Sequence, residues 1–310
     1  SDVCTVASRL ARVVTKKRTI LSCGFHGWQD FGLDYFTFED SGIPDRPRRV
    51  LHKFTFGDRR QFEDLYRAHR HDLAAVMIEP AGALIDDERG LGGEADPAFL
   101  RMLEEAAHEA GAVLVFDEIV TGFRYPGGSV QHATGITADL TCLGKALASG
   151  MPLSALLGPY DLFAKYFHKV HFSPTFKGEV YSLAAARAAL EIYRTEPVAE
   201  HIWRYGRRLR DSVHDVCSRL GIDGGFTGPP FRMSFVFGDD HEMRRLKRTL
   251  LMQELLKRRI ITVSCMVLPS YAHDEAAFDQ TVEAFEGALG VVADAGDAED
   301  LHRRIDIPLL

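Results

Sequence analysis

The sequence predicts an α/β fold with a mostly parallel central sheet, because short apolar runs alternate with an amphipathic helical segment. The runs AAVMIEP (74–80) and AVLVFDE (112–118) have the length and continuous apolar character of buried parallel strands. Between them lies AFLRMLEEAAHEAG (98–111), whose apolar residues recur at helical spacing. The order strand, helix, strand is typical of a parallel sheet covered by helices.

The helix between these strands carries signals for its start and its end. Asp96 followed by Pro97 fits an N-cap and a first-turn proline, and Gly111 fits the position just after a helix. Two more apolar runs, ADLTCLGK (138–145) and PLSALLG (152–158), predict further strands of the same sheet.

Near Pro197 the pattern changes to long charged helical segments that alternate with FRMSFVFG and IITVS. We therefore predict a large domain over 1–196 and a smaller α+β domain over 197–310, with a peripheral tail at 296–310. The first residues already have the pattern of an amphipathic helix, so we expect native sequence upstream of Ser1 and a large domain whose start is truncated.

Composition and charge exclude several classes of partner. The chain is 46% hydrophobic with a formal charge of −7 and a pI near 6.0, which gives no basic face for nucleic acid. No segment approaches the roughly 18 apolar residues that cross a bilayer, so no membrane partner is expected. The five cysteines include no CxxC pair, which predicts reduced thiols in a cytoplasmic protein. No metal site is predicted.

Two charged residues follow apolar runs where strands of the predicted sheet end. Asp117 ends one run, and Lys145 lies 28 residues later, just past the next. Ligands of parallel sheets bind at the carboxyl ends of the strands, although a carboxylate and a lysine there also suit a structural ion pair. The residues alone leave both interpretations open.

The wider context resembles a known family. VFDEIVTGFR (115–124) followed by LGKALASGMP (143–152) is similar in residue types and spacing to the signature of class III pyridoxal-phosphate aminotransferases. Within that class, the chain looks most like the glutamate-1-semialdehyde 2,1-aminomutase group. The resemblance runs from Ser1 to about Ala284 and implies a fold-type I enzyme with pyridoxal 5'-phosphate (PLP) as cofactor.

The resemblance assigns roles around the cofactor ring. Lys145 is implied to form the Schiff base with the cofactor aldehyde, and partial burial would favour its unprotonated amine. Asp117 is implied to pair with the protonated pyridine nitrogen, so that the ring accepts electrons from the substrate. Ile119 stands where the family packs an aliphatic side chain on the ring, although it also suits a plain core position.

The segment SCGFHGWQD (22–30) resembles the family's aromatic-His-Gly loop. By this resemblance, Phe25 stacks on the pyridine ring, which adds ~0.5–1.5 kcal/mol beyond area burial. His26 and Trp28 either shape the substrate space or have a structural role. The resemblance makes His26 a cofactor-binding candidate.

The phosphate group is implied to have two binding elements. Ser1 aligns with the end of a turn at a helix N-terminus, where backbone N–H groups favour an anion. SPTFKGEVYSLAAARAAL (173–190) resembles the segment whose threonine, here Thr175, reaches the neighbouring subunit's cofactor. This implies a homodimer with shared active sites. Lys177 departs from the small residue of many relatives.

The predicted activity is transfer of an amino group between a small-molecule donor and a carbonyl acceptor, or its migration within one molecule. Val120 favours the aminomutase-like branch, because many class III transaminases have glutamine at this position. Two alternatives stay open. A PLP-dependent decarboxylase or racemase would use the same fold and cofactor, and a non-catalytic module lacking its N-terminal segment would keep only the fold.

Overall fold

A computed structural model describes residues 1–29, 50–86 and 90–308. The chain divides into two compact units, residues 1–84 with 94–198 and residues 85–93 with 199–310. The segment 85–93, predicted to lie in the large domain, is part of the second unit. No helix in the described part of the chain is long and apolar enough to cross a membrane.

The first unit alternates strands and helices. Its strands are β1 Thr19–Cys23, β2 Leu51–Lys53, β3 Leu73–Ile78, β6 Val113–Asp117, β7 Leu140–Leu143 and β8 Ala155–Leu157. Its helices are α1 Asp2–Thr15, α2 Arg59–His69, α3 Pro97–Glu109, α4 Val130–Thr134, α5 Tyr160–Tyr166 and α6 Val180–Thr195. A short pair of strands, β4 Leu84–Asp86 and β5 Gly90–Leu91, lies at the first division between the units.

The central sheet has the order β2-β1-β3-β6-β7-β8 among the described residues. All neighbouring pairs run parallel except β7 and β8, which are antiparallel. Every residue of β1, β3 and β6 is buried. This confirms the mostly parallel sheet that the apolar runs predict.

The predicted signals of helix α3 are confirmed. The Asp96 side chain accepts hydrogen bonds from the backbone N–H groups of Ala98 and Phe99, and Pro97 is the first helical residue. Gly111 has a φ of 59°, a left-handed conformation that glycine adopts without a steric penalty. These caps fix the ends of the helix that connects β3 to β6.

Helix α1 packs against the sheet through one apolar face. Val3, Cys4, Ala7 and Leu10 are buried in one cluster with side chains of the central strands, Met77 among them. This packing fixes the N-terminal end of α1, and with it the position of Ser1.

The second unit has its own core and an antiparallel sheet of order β11-β10-β9. Its elements are α7 Val198–Leu220, β9 Gly224–Thr227, β10 Met233–Phe237, α8 His241–Lys257, β11 Met266–Val267, α9 Glu275–Ala293 and α10 Ala298–Arg304. The predicted peripheral tail is wrong in part: α10 belongs to this unit's core, because Leu301 is fully buried.

Candidate active site

The parallel sheet brings the candidate residues to one edge. Strand β6 ends at Asp117, which is in register with Cys142 of β7, and Lys145 follows three residues later. The loop that carries Phe25 and His26 begins where β1 ends. Because β1, β3, β6 and β7 are parallel neighbours, these segments leave the sheet at the same carboxyl-terminal edge.

Asp117 is the centre of a buried hydrogen-bond cluster. His26 Nδ1 lies 2.7 Å from Asp117 Oδ2, and both side chains are 2% exposed. The Cys4 thiol donates to the same oxygen at 3.4 Å, and the Ile119 N–H donates to Oδ1 at 3.1 Å. Three donors from three separate segments thus converge on one carboxylate.

These contacts keep the carboxylate ionised. Burial by itself raises the pKa of Asp117, but the hydrogen bond and charge of His26, together with the Ile119 N–H and the Cys4 thiol, outweigh it. The net pKa of Asp117 therefore lies below its ordinary value. A buried anion that is held in this way is suited to bind a cation.

The geometry of this cluster is that of hydrogen bonds and not that of a metal site. The Sγ of Cys4, a ring nitrogen of His26 and an oxygen of Asp117 all lie within 4.8 Å of one another, a set that includes zinc-ligand types. Two ligands of a tetrahedral zinc ion are ~3.3 Å apart, however, and the 2.7 Å separation of His26 and Asp117 is that of a hydrogen bond.

The loop after β1 packs tightly on the start of α1. Ser1 Oγ accepts a hydrogen bond from the Trp28 N–H at 3.2 Å. Gly27 has a φ of 114°, and a Cβ added there would lie 2.5 Å from Ser1 Cα, so only glycine fits. Of the three ring residues in the loop, Phe25 is 36% and Trp28 72% exposed, whereas His26 is buried. Phe25 thus has a surface available for a ligand, whereas the structure places His26 on Asp117.

Lys145 lies on a strained turn. It begins the short 3-10 helix Lys145–Leu147 with a φ of 44°, a conformation rare for a residue with a side chain. The Tyr193 hydroxyl donates to the Ala146 carbonyl at 2.9 Å, which ties this turn to helix α6. The partial burial expected for Lys145 is not observed, because its side chain is exposed.

Two glycines lie in the turns that follow β6 and β7, Gly122 after β6 and Gly144 after β7. Ile119 is half-buried, and a Cβ added at Gly144 would lie 3.6 Å from its side chain. A Cβ at Gly122 would lie 2.7 Å from the Glu118 carbonyl oxygen and 2.8 Å from Leu143. The Thr-Gly pair at 121–122 thus has a steric reason for its glycine, whereas at Gly144 an added Cβ would make only ordinary van der Waals contact.

Thr175 is exposed and lines a cavity of about 1150 Å³ in the first unit. Asp2, which follows Ser1, lines the same cavity, as do Ser154 and Ala155. Several apolar side chains near it face solvent in the single chain, Phe176 at 80% and Tyr181 at 79% exposure among them. Lys177 is also exposed, with its Nζ 6.0 Å from the Phe172 ring centre.

Three contributors to the site were not identified from the sequence. The sequence predicts only a reduced thiol at Cys4, gives no signal for Tyr193, and places Glu118 only at the end of a predicted strand. The fully buried Glu118 accepts hydrogen bonds from Thr121 Oγ1 and the Val130 N–H, which fixes the chain after Asp117. The adjacent acidic pair after a buried strand was the available signal for Glu118.

The residues present fit a PLP group. Asp117 supplies a buried anion for the pyridine nitrogen, Lys145 an exposed amine for the aldehyde, and Phe25 an exposed aromatic surface. His26 Nε2 is buried and has no hydrogen-bond partner among the described residues, as expected at the border of a ligand site.

Comparison with known proteins agrees with this chemistry. The chain is 28% identical over 302 residues to the 3-aminobutyryl-CoA aminotransferase of Cloacimonas acidaminovorans, a match that covers 94% of this chain and 69% of the relative. It is 27% identical over 315 residues to the glutamate-1-semialdehyde 2,1-aminomutase of Thermoplasma acidophilum, covering 93% and 72%.

A solved structure gives the same result. The FumI protein of Sphingopyxis sp. MTA144, solved in its PLP internal aldimine form, aligns with a TM-score of 0.84 at 28% identity, covering 94% of this chain and 69% of that one. Residues 50–221, more than half of the chain, match the profile of the family described as aminotransferase class-III. The chain therefore belongs to the class III aminotransferase family, whose enzymes use pyridoxal phosphate to transfer an amino group between molecules or to move it within one molecule.

Proposed function

We propose that Lys145 binds the cofactor covalently through Nζ and that Asp117 pairs with its pyridine nitrogen. The observation that carries this proposal is the register of β6 and β7, which places both residues at one sheet edge while the β1 loop supplies the His26 hydrogen bond. When bound, PLP would supply the electron sink for the substrate carbon that bears the amino group. The protein's part is to hold the ring charged and to position the amine.

Each residue has a defined task in this proposal. Asp117 accepts the pyridinium N–H and is held ionised by the donors around it. The Phe25 ring would stack on the cofactor ring, and Ile119, which lies beside Gly144, would pack against it. Ser1, the N-cap of α1, would place the helix N-terminus near the phosphate. The Lys145 Nζ would also be the group that moves the proton to and from the substrate carbon.

The proposed reaction moves an amino group between a small-molecule donor and a carbonyl acceptor, or within one molecule. The relatives named above include enzymes of both kinds. We further propose a cytoplasmic location, because all five cysteines are buried and free.

We also propose a homodimer with shared active sites. Its support is the exposed apolar surface around Thr175, where Phe176, Val180 and Tyr181 are each at least 76% exposed in the single chain. Contiguous apolar surface of this kind marks an interaction site, and a second copy would cover it. Sedimentation with measurement of bound cofactor tests this. Cofactor affinity should fall on dilution to the monomer, and full occupancy in a monomer contradicts the proposal.

The covalent role is tested by reduction with borohydride followed by peptide mapping. The label should fall on the peptide that contains Lys145, and Lys145→Ala should fold but lose turnover. Lys165→Ala is the matched control, because Lys165 is another exposed lysine of the first unit, on helix α5. Recovery of the label on another lysine, or substantial activity of Lys145→Ala, would reject this assignment.

A further inference from the structure

Cys4 is the donor to Asp117 whose presence the cofactor chemistry does not require. Its Sγ lies 3.4 Å from Asp117 Oδ2, and both side chains are buried. Cys4 belongs to the first turn of α1, 113 residues from Asp117 in the sequence. It also contacts Cys142, the register partner of Asp117 in β7. The thiol therefore lies where α1 passes the ends of two central strands.

The thiol can act only as a donor toward this carboxylate. The hydrogen bond with Cys142, burial and the charge of Asp117 together raise the pKa of Cys4 well above its ordinary value, so that it keeps its proton. An S–H group is a weak donor, but it makes a stronger hydrogen bond to an ionised oxygen than to a neutral one.

The acceptor positions of Asp117 can be counted. An ionised carboxylate has about four lone-pair positions, two on each oxygen. On Oδ2, His26 and Cys4 take both positions, and on Oδ1 the Ile119 N–H takes one. One position remains, on Oδ1.

We propose that Cys4 is a positioning residue for the cofactor: by occupying the second acceptor position of Asp117 Oδ2, it leaves Oδ1 as the single acceptor for the pyridine nitrogen. This inference rests on the proposed role of Asp117. Without the thiol, Oδ2 regains a position and the ring nitrogen has two acceptors to choose from. The hydrogen bond from the ring nitrogen would then be shared between two carboxylate oxygens instead of being fixed on Oδ1.

The first test examines the hydrogen bond in the cofactor-free protein. The S–H stretching band of Cys4, assigned by the infrared difference between wild type and Cys4→Ala, should lie at the low frequency of a thiol bonded to an anion. In Asp117→Asn this band should move to higher frequency. A Cys4 band with the same frequency in wild type and Asp117→Asn would overturn the proposal. This measurement does not depend on enzyme activity.

The second test examines the cofactor in the loaded protein. With PLP labelled with nitrogen-15 in its ring, Cys4→Ala should shift or broaden the ring-nitrogen resonance, and Cys4→Ser, which keeps a donor, should restore it. The rate of the first half-reaction should fall about tenfold in Cys4→Ala with KM unchanged, equivalent to ~1.4 kcal/mol for one lost bond to a charged group.

Cys265→Ala is the matched control for loss of a buried thiol. Cys265 is fully buried, and its Sγ donates to the Arg248 carbonyl at 3.6 Å within the second unit. The Cys265→Ala substitution should lower the free energy of unfolding but leave the ring-nitrogen resonance unchanged. A resonance that is the same in wild type and Cys4→Ala overturns the proposal. If wild type binds no PLP, the proposed function fails and the cofactor role of Cys4 fails with it, while the infrared band still reports the hydrogen bond.

Discussion

His26 Nδ1 and Asp117 Oδ2 are 2.7 Å apart, and both side chains are shielded from solvent. The contact joins the loop after β1 to the end of β6, across the intervening strand β3. Since a buried carboxylate is costly without donors, this one hydrogen bond connects the position of the loop with the charge of the site.

Asp117→Asn should keep much of the cofactor but remove the charge that holds the ring protonated. Leaving a buried charge without its partner costs ~3–5 kcal/mol, so kcat should fall by roughly two to four powers of ten. Single-turnover kinetics with an active amino donor should show the loss in the half-reaction that removes the substrate proton. An unchanged half-reaction would make Asp117 a purely structural residue.

His26→Phe should raise the pKa of Asp117, because burial then acts with one strong donor fewer. The acid limb of the activity profile should move to higher pH, and kcat should fall by about ten- to a hundredfold for a bond worth ~1.5–3 kcal/mol. His26→Asn keeps a side-chain N–H and should recover part of both effects. Identical pH profiles for all three proteins would contradict this role.

The lowered pKa of Asp117 also predicts how this residue affects stability. A carboxyl whose pKa is depressed by folding adds stability above its unfolded value of about 3.8, which is lost as pH falls through the folded value. In urea unfolding below pH 4, wild type should therefore lose its stability advantage over His26→Phe. A difference between the two proteins that does not depend on pH would contradict this.

Glu118 should show the opposite sign. Burial raises the pKa of Glu118 despite its hydrogen bonds from Val130 and Thr121, so its stabilising contribution is complete below about pH 4.5 and is lost as pH rises through the folded value. Glu118→Gln does not titrate. The difference in unfolding free energy between it and wild type should change above pH 4.5, and a constant difference would refute the assignment.

Gly27→Ala should separate the loop from the start of α1. The added Cβ would meet Ser1 Cα at 2.5 Å, and the φ of 114° disfavours any side chain. PLP affinity, measured by equilibrium dialysis, should fall. Gly57→Ala is the control, because Gly57 has a φ of 81° but nothing within 4 Å of an added Cβ. It should cost ~1–2 kcal/mol of stability and leave affinity intact; equal losses of affinity would argue against the contact with Ser1.

The sequence was sufficient to predict the parts of the fold that depend on local signals. Strand β6 and helix α3 follow from an apolar run and from caps within a few residues. The placement of Asp117 and Lys145 at one edge follows from the rule for parallel strands. The predicted tail failed because Leu301 is buried by the packing of distant helices, which no local pattern encodes.

The remainder of the site depends on packing that the sequence does not display. Nothing around Cys4 distinguishes it from an ordinary core thiol, and its contact with Asp117 results from the way α1 lies on the sheet. The strained φ of Lys145 likewise results from the turn between β7 and the 3-10 helix, held by Tyr193. Contacts of this kind require the tertiary structure.

The spacing of the Asp117 contacts has a consequence for the order of folding. Its partners His26 and Cys4 are 91 and 113 residues away along the chain. Contacts between residues so distant in sequence form late, because the loops between them must close first. The capacity to bind PLP should therefore arise only once α1, β1 and β6 have come together. The time at which bound cofactor appears during refolding therefore reports when these three elements have come together in the first unit.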